Sequence, residues 1–175
     1  MTQAVFSRGD LPFVRIALVT ATVLIAHAAL LSQLTVLDVR PEPFVLLAVL
    51  GGLELGTEAG ALLGFAAGGA ADLLASTPIG LWALICTVLA VVVGYVRDKA
   101  FSTVRRRLPV TLVLATTSMA LLAYCALAFI VAEQPLPQAR RLLAVLVVAS
   151  LWNVVLTIPL RGLVARAIAG RPSES

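Results

Sequence analysis

Hydrophobic residues run along this chain in six blocks, separated by short stretches that carry turn residues or charges. The blocks lie at Phe13–Leu34, Pro43–Leu55, Ala59–Ala75, Ile79–Val96, Val110–Val131 and Leu142–Leu160. Apolar runs this long predict helices, and four of them meet or approach the ~20 residues that cross a bilayer. The second block is short, about 20 Å as a helix, and carries Gly51-Gly52. It predicts either a short tilted span or a re-entrant piece shielded by protein. The expected fold class is all-α, a polytopic transmembrane helical bundle of about six spans, with five as the competing count. Turn residues punctuate the blocks at Pro41-Glu42-Pro43, Ser76-Thr77-Pro78-Ile79-Gly80 and Glu133-Gln134-Pro135-Leu136-Pro137. No loop is long enough for a folded domain outside the membrane. Residues 1–170 are expected to form a single transmembrane domain, and residues 171–175 a disordered tail.

Charge placement orients the bundle. With six spans and the N-terminus inside, the inner side holds Arg8, Arg15, Arg97, Lys99, Arg105, Arg106, Arg107, Arg161, Arg166 and Arg171, and the outer side only Arg40, Arg140 and Arg141. That ten-to-three bias is what the positive-inside rule requires, and it puts both termini in the cytoplasm. Five spans would leave Arg8 and Arg15 outside, which fits less well. The first block lacks a small-residue cleavage site and is expected to act as its own insertion signal. A mean hydropathy of +1.04 and a hydrophobic share of 61% exclude an ordinary soluble domain. Nothing resembles a nucleic-acid-binding surface.

Within the third block, Gly60, Gly64, Gly68 and Asp72 recur every fourth residue and line one helix face. In water such a row weakens a helix; in lipid it admits a second helix at close range. The row therefore predicts a tight helix–helix seam, either internal or toward a partner. Asp72 is costly near hydrocarbon and needs a paired or wet position. It either caps the following turn or faces interfacial water, with Leu73 and Leu74 packing inward, or it contacts His27, which lies at a similar depth on the first helix. Asn153, beside Trp152, is suited to a hydrogen bond between helices, and Pro159 to bending or ending the last helix. Arg15 either snorkels to the interface or pairs with Glu54 or Glu58. The Arg105-Arg106-Arg107 cluster attracts anionic lipid or docks a cytoplasmic partner. Cys86 and Cys125 read as plain residues of apolar runs. A single histidine and the absence of metal-ligand spacings predict no metal and no cofactor. No nucleophile elbow, zinc-protease helix or phosphate loop is present, so the expectation is a protein without catalysis.

One family fits these residues in order. Gly64-Phe65, Gly68, Asp72-Leu73-Leu74 and then Pro78-Ile79-Gly80 resemble the core signature of MreD, the rod shape-determining membrane proteins. Pro41-Glu42-Pro43 resembles that family's proline–acid start of the second helix, with Glu42 where aspartate is commoner. Asn153 and Pro159 fit its last helix. The resemblance implies a non-enzymatic protein of the bacterial inner membrane that contributes to cell shape and lateral peptidoglycan synthesis. It implies an MreC-like partner, a RodA-type glycosyltransferase with its transpeptidase, and an MreB-type filament. It also implies a fold similar to the S-components of energy-coupling-factor vitamin transporters, and such a substrate-binding subunit is the alternative reading. Ala17 and Ala21 supply a small-residue pair that suits it, but no cluster of polar and aromatic residues suits a vitamin pocket. A lipid-handling accessory protein is the third reading.

Overall fold

The computed structural model describes residues 18–26, 39, 42–74, 79–99, 110–132 and 137–169. Among these, the regular elements are six helices: α1 (18–26), α2 (Pro43–Leu55), α3 (Thr57–Leu74), α4 (Leu81–Lys99), α5 (Val110–Ala132) and α6 (Ala139–Ala169). Each falls within or across one predicted apolar block. Proline starts α2, where its missing N–H costs nothing. Gly56, at φ +88°, ends α2 and turns the chain directly into α3. Pro159 does not end the last helix: α6 continues through it to Ala169.

At the centre lies α2. Every residue from Pro43 to Leu53 is buried, because α3, α4, α5 and α6 all pack on it. A helix apolar on all sides belongs in such a core. The helix is thus shielded by protein, which suits a short span at the bundle centre as well as a re-entrant piece. Val19 and Val23 of α1 join the same core.

Among the described residues, three helices are long and apolar enough to cross a membrane: Leu81–Lys99, Val110–Val131 and Ala139–Val164. The short α2 is not among them, nor is α3, whose 18 residues are largely glycine and alanine with Glu58 and Asp72. The exterior is apolar in stripes. Leu84, Val88 and Val92 face outward along α4, and Leu143, Val147, Leu151, Val155 and Ile158 along α6. In α3 the usual order of sizes is inverted. Its buried face is glycine, alanine, Leu63 and Asp72, while Leu62, Phe65, Leu73 and Leu74 are exposed. In a hydrocarbon solvent there is no penalty for large apolar side chains outside, and small ones inside bring backbones together.

Candidate functional site

Asp72 ends the buried face of α3 and is itself 4% exposed. Its carboxylate receives three backbone N–H groups from the start of α4. Gly80 and Ala83 donate to Oδ2, each at 3.0 Å, and Trp82 donates to Oδ1 at 3.1 Å. The first turn of a helix leaves N–H groups without intrahelical partners and carries the positive end of the helix dipole. A carboxylate supplied from the preceding helix answers both. Gly80 makes the approach possible, because its φ of +100° is a conformation other residues rarely adopt. Asp72 thus caps the following turn, as one of the sequence expectations held. Leu73 and Leu74 do not pack inward: Leu73 is 81% exposed, since turning Asp72 toward α4 turns the next two residues away from the core. His27 and Pro78 lie outside the described residues.

The glycine row sits under this clamp and is internal. A Cβ on Gly60 would stand 2.8 Å from the Cα of Gly52 in α2; one on Gly64 would stand 2.6 Å from the Cys86 carbonyl oxygen in α4. At Gly68 it would collide with the Trp82 carbonyl oxygen, and 2.6 Å separates it from the Cα of Ala83. The opposing helices answer with their own glycines. Gly52 meets Ala90, Val93 and Gly94 of α4, and Gly94 meets Thr57 at the start of α3, with 2.7 Å between its added Cβ and that Cα. The seam therefore locks α2, α3 and α4 together; it does not face a partner. Gly52 and Gly94 belong to it although the four-residue period of α3 does not reveal them.

Trp82 joins the clamp to the rest of the bundle. Its N–H is held by Asp72 and its carbonyl abuts Gly68, while its ring stacks on Tyr124 of α5, with centroids 4.6 Å apart and planes 11° from parallel. Its sequence signal is its place two residues after Gly80, at the start of the helix that the Pro78-Ile79-Gly80 turn opens.

Asn153 meets its expectation of a bond between helices. Its Nδ2 donates to Thr117 Oγ1 at 3.0 Å, with both residues buried, and Ser118 and Ser150 lie within hydrogen-bond distance one turn away, at 3.3 Å. Asn153 Oδ1 is buried without a partner. At the opposite end of the bundle from Asp72, Arg161 of α6 donates from Nε to Glu54 at the end of α2, at 3.3 Å, and Thr57 donates to Asp98 of α4 at 3.1 Å. Glu54 is thus paired by Arg161; Arg15, like the Arg105-Arg106-Arg107 cluster, lies outside the described residues.

Glu42, immediately before α2, makes no capping bond with its side chain. Both it and Asp72 lie within electrostatic reach of the Cys86 thiol, which places the two acids at the same end. Burial pushes the Glu42 carboxyl up to about 7. Cys86 and Cys125 are free thiols. Among the described residues no three histidines, cysteines or acids are grouped to hold a metal. The chain matches no protein-family model, no curated protein and no solved structure.

Proposed function

We propose that this chain is a non-enzymatic scaffold of the bacterial inner membrane, similar to MreD, that binds an MreC-like partner in the complex building the lateral cell wall. It crosses the membrane six times with both termini in the cytoplasm, and contributes to cell shape through the peptidoglycan enzymes it helps assemble. The observation that carries the reading is convergence. The separate pieces of the resemblance — Gly64, Gly68, Asp72 and Gly80 — act together in seating α3 on α4 and capping α4. Motif residues scattered by chance have no reason to meet in one device. The orientation draws support from the Glu54–Arg161 and Thr57–Asp98 bonds, which gather the Arg97, Lys99 and Arg161 ends of the helices on one side, as a cytoplasmic face requires.

With Gly60, Gly64 and Gly68 spent on internal contacts, a partner helix meets the bundle on its exposed apolar stripes. The test is affinity purification from the native membrane in mild detergent, with copurifying proteins identified by mass spectrometry. An MreC-like protein accompanied by a RodA-type glycosyltransferase and its transpeptidase is the expected result. Recovery of a coupling membrane protein with ATPases would replace the scaffold by the transporter S-component. Substitutions at the exposed Leu62 and Phe65 then map the contact without disturbing the seam.

A further inference from the structure

Arginines bracket the apolar part of α6. From Arg140 in its first turn to Arg161 the helix rises about 31 Å, close to the ~30 Å of a bilayer's hydrocarbon core. The two ends differ in what meets the charge. Arg161 is paired with Glu54 of α2. Arg140 and Arg141 are exposed, and neither has an ion pair among the described residues. The first turn of α6 holds no acid. Of the acids at that end, Asp72 is buried against the α4 amides, and Glu42 lies at the start of the central α2. A helix start is also the wrong end for cations, because its dipole is positive there. From Arg140 the same face continues through Leu143, Val147, Leu151, Val155 and Ile158, three or four residues apart. All five apolar residues are more than half exposed, and only 17% of the helix's apolar window is buried.

We propose that this face of α6 is a site for an anionic phospholipid, with its phosphate on Arg140 and Arg141 and one acyl chain along the row from Leu143 to Ile158. The row is about 22 Å long, and a positive end on an apolar row is the complement of a phosphate on a hydrocarbon chain. The guanidinium fork suits phosphate oxygens, which it can bind in pairs. A second copy of the chain fits less well, since a parallel contact through this face sets arginine against arginine. The inference does not rest on the scaffold reading, whose partner contact is sought at Leu62 and Phe65 of α3.

The test is native mass spectrometry of the full chain in detergent, titrated with phosphatidylglycerol or with phosphatidylcholine of the same acyl chains. Phosphatidylglycerol is expected to bind more tightly. Each arginine at a headgroup contributes about five-fold, so R140Q/R141Q should lose about 25-fold for phosphatidylglycerol and nothing for phosphatidylcholine. K99Q removes a positive charge at the other end of the bundle and should leave both affinities as they were. V147S/L151S should weaken the two lipids alike, because the chains are the same. Equal affinity of the parent for both lipids, or an equal loss in K99Q and R140Q/R141Q, overturns the site. So does a dimer that excludes lipid and crosslinks α6 to α6, which gives the face to a second copy. Should R140Q/R141Q fail to accumulate, a photoactivatable phosphatidylglycerol decides on the parent chain. Labelling within residues 139–158 supports the site, and labelling confined to other helices overturns it.

Discussion

Two halves of this bundle solve the problem of holding helices together by different means. In α2, α3 and α4 the backbones themselves touch, through Gly52, Gly60, Gly64, Gly68 and Gly94, and the side-chain bonds between these helices stand at the ends, at Asp72 and at Thr57–Asp98. In α5 and α6 the contact is carried mid-helix by Thr117, Ser118, Ser150 and Asn153. Burial follows the same division: 50% of the apolar window of α4 is enclosed, against 33% for α5 and 17% for α6. In lipid, where apolar surface gains little by leaving the solvent, close backbone packing encloses a helix, and side-chain bonds need only pin it. The first half is therefore a rigid block with no room for change. The second is fastened at points and keeps most of its surface for lipid or partners.

The sharpest way to break that contrast is to enlarge one seam glycine and its neighbour. Gly68→Leu drives a side chain into the Trp82 and Ala83 backbone, where no rotamer can give way. The expected loss is about 3 kcal/mol or more, read as a lowered unfolding midpoint in detergent or as failure to accumulate. Gly69→Leu, with nothing within 4 Å of its Cβ, is expected to change stability by no more than about 0.5 kcal/mol. Equal damage from both would mean that the two residues matter as helix formers and that the seam is not a contact.

Asp72 comes next. Asp72→Ala leaves three N–H groups of the α4 start without their acceptor, at an expected cost of about 2–4 kcal/mol. Asp72→Asn falls between, since its amide keeps one acceptor oxygen but turns an NH2 toward the same donors. Amide exchange at Trp82 and Ala83 should quicken in both variants, while that of α6 stays as it was. Slower folding without faster local exchange would mean that Asp72 acts elsewhere.

How much of this was legible beforehand follows the same physics. Apolar run length located the helices, and a four-residue period exposed the α3 face, because both depend only on local geometry. The cap by Asp72 was also within reach, since its partners lie just eight to eleven residues onward. What the residues alone left open was which distant group each polar side chain chooses. Arg161 reaches Glu54 across 107 positions, and nothing in either segment announces the other. Thr117 meets Asn153 because α5 and α6 pack side by side, and neither residue announces the other. Gly94 closes the seam from a helix whose own pattern shows a single glycine. Pairings of this kind arise from the arrangement of helices, which no period along one of them encodes.

Glu42 separates two kinds of acid at the same end of the rigid block. Asp72 has three backbone N–H donors on its carboxyl oxygens; Glu42 has no capping bond, and burial raises its carboxyl from 4.5 to about 7. The unfolded chain releases that proton near 4.5, so between 4.5 and about 7 it binds fewer protons than the folded one. Stability therefore falls as pH rises through that window and levels off above it. Glu42→Gln should flatten the slope in unfolding measurements across the same range. An unaltered slope would assign it to another group.

The smallest effect is expected in the second half, and it tests whether those bonds pin or merely decorate. Asn153→Leu removes the bond to Thr117 but also removes Oδ1, which is buried and unpartnered in the folded chain. A hydrogen bond between membrane helices is worth about 0.6–2 kcal/mol, and relief of the orphaned oxygen offsets part of it. The net loss should thus be about 1 kcal/mol or less, and Thr117→Val combined with Asn153→Leu should cost no more than the single change, because the hydroxyl left alone by Asn153→Leu is then gone as well. A double-mutant cycle in detergent measures the coupling. Its value should be well below the cost of Gly68→Leu, since a bond can be replaced within the membrane by a bond to the helix itself, whereas two backbones forced apart have no substitute contact. Should the cycle instead return several kcal/mol, α5 and α6 would be as tightly committed to one another as the glycine-packed helices, and the contrast between close backbone packing and point fastening would fall.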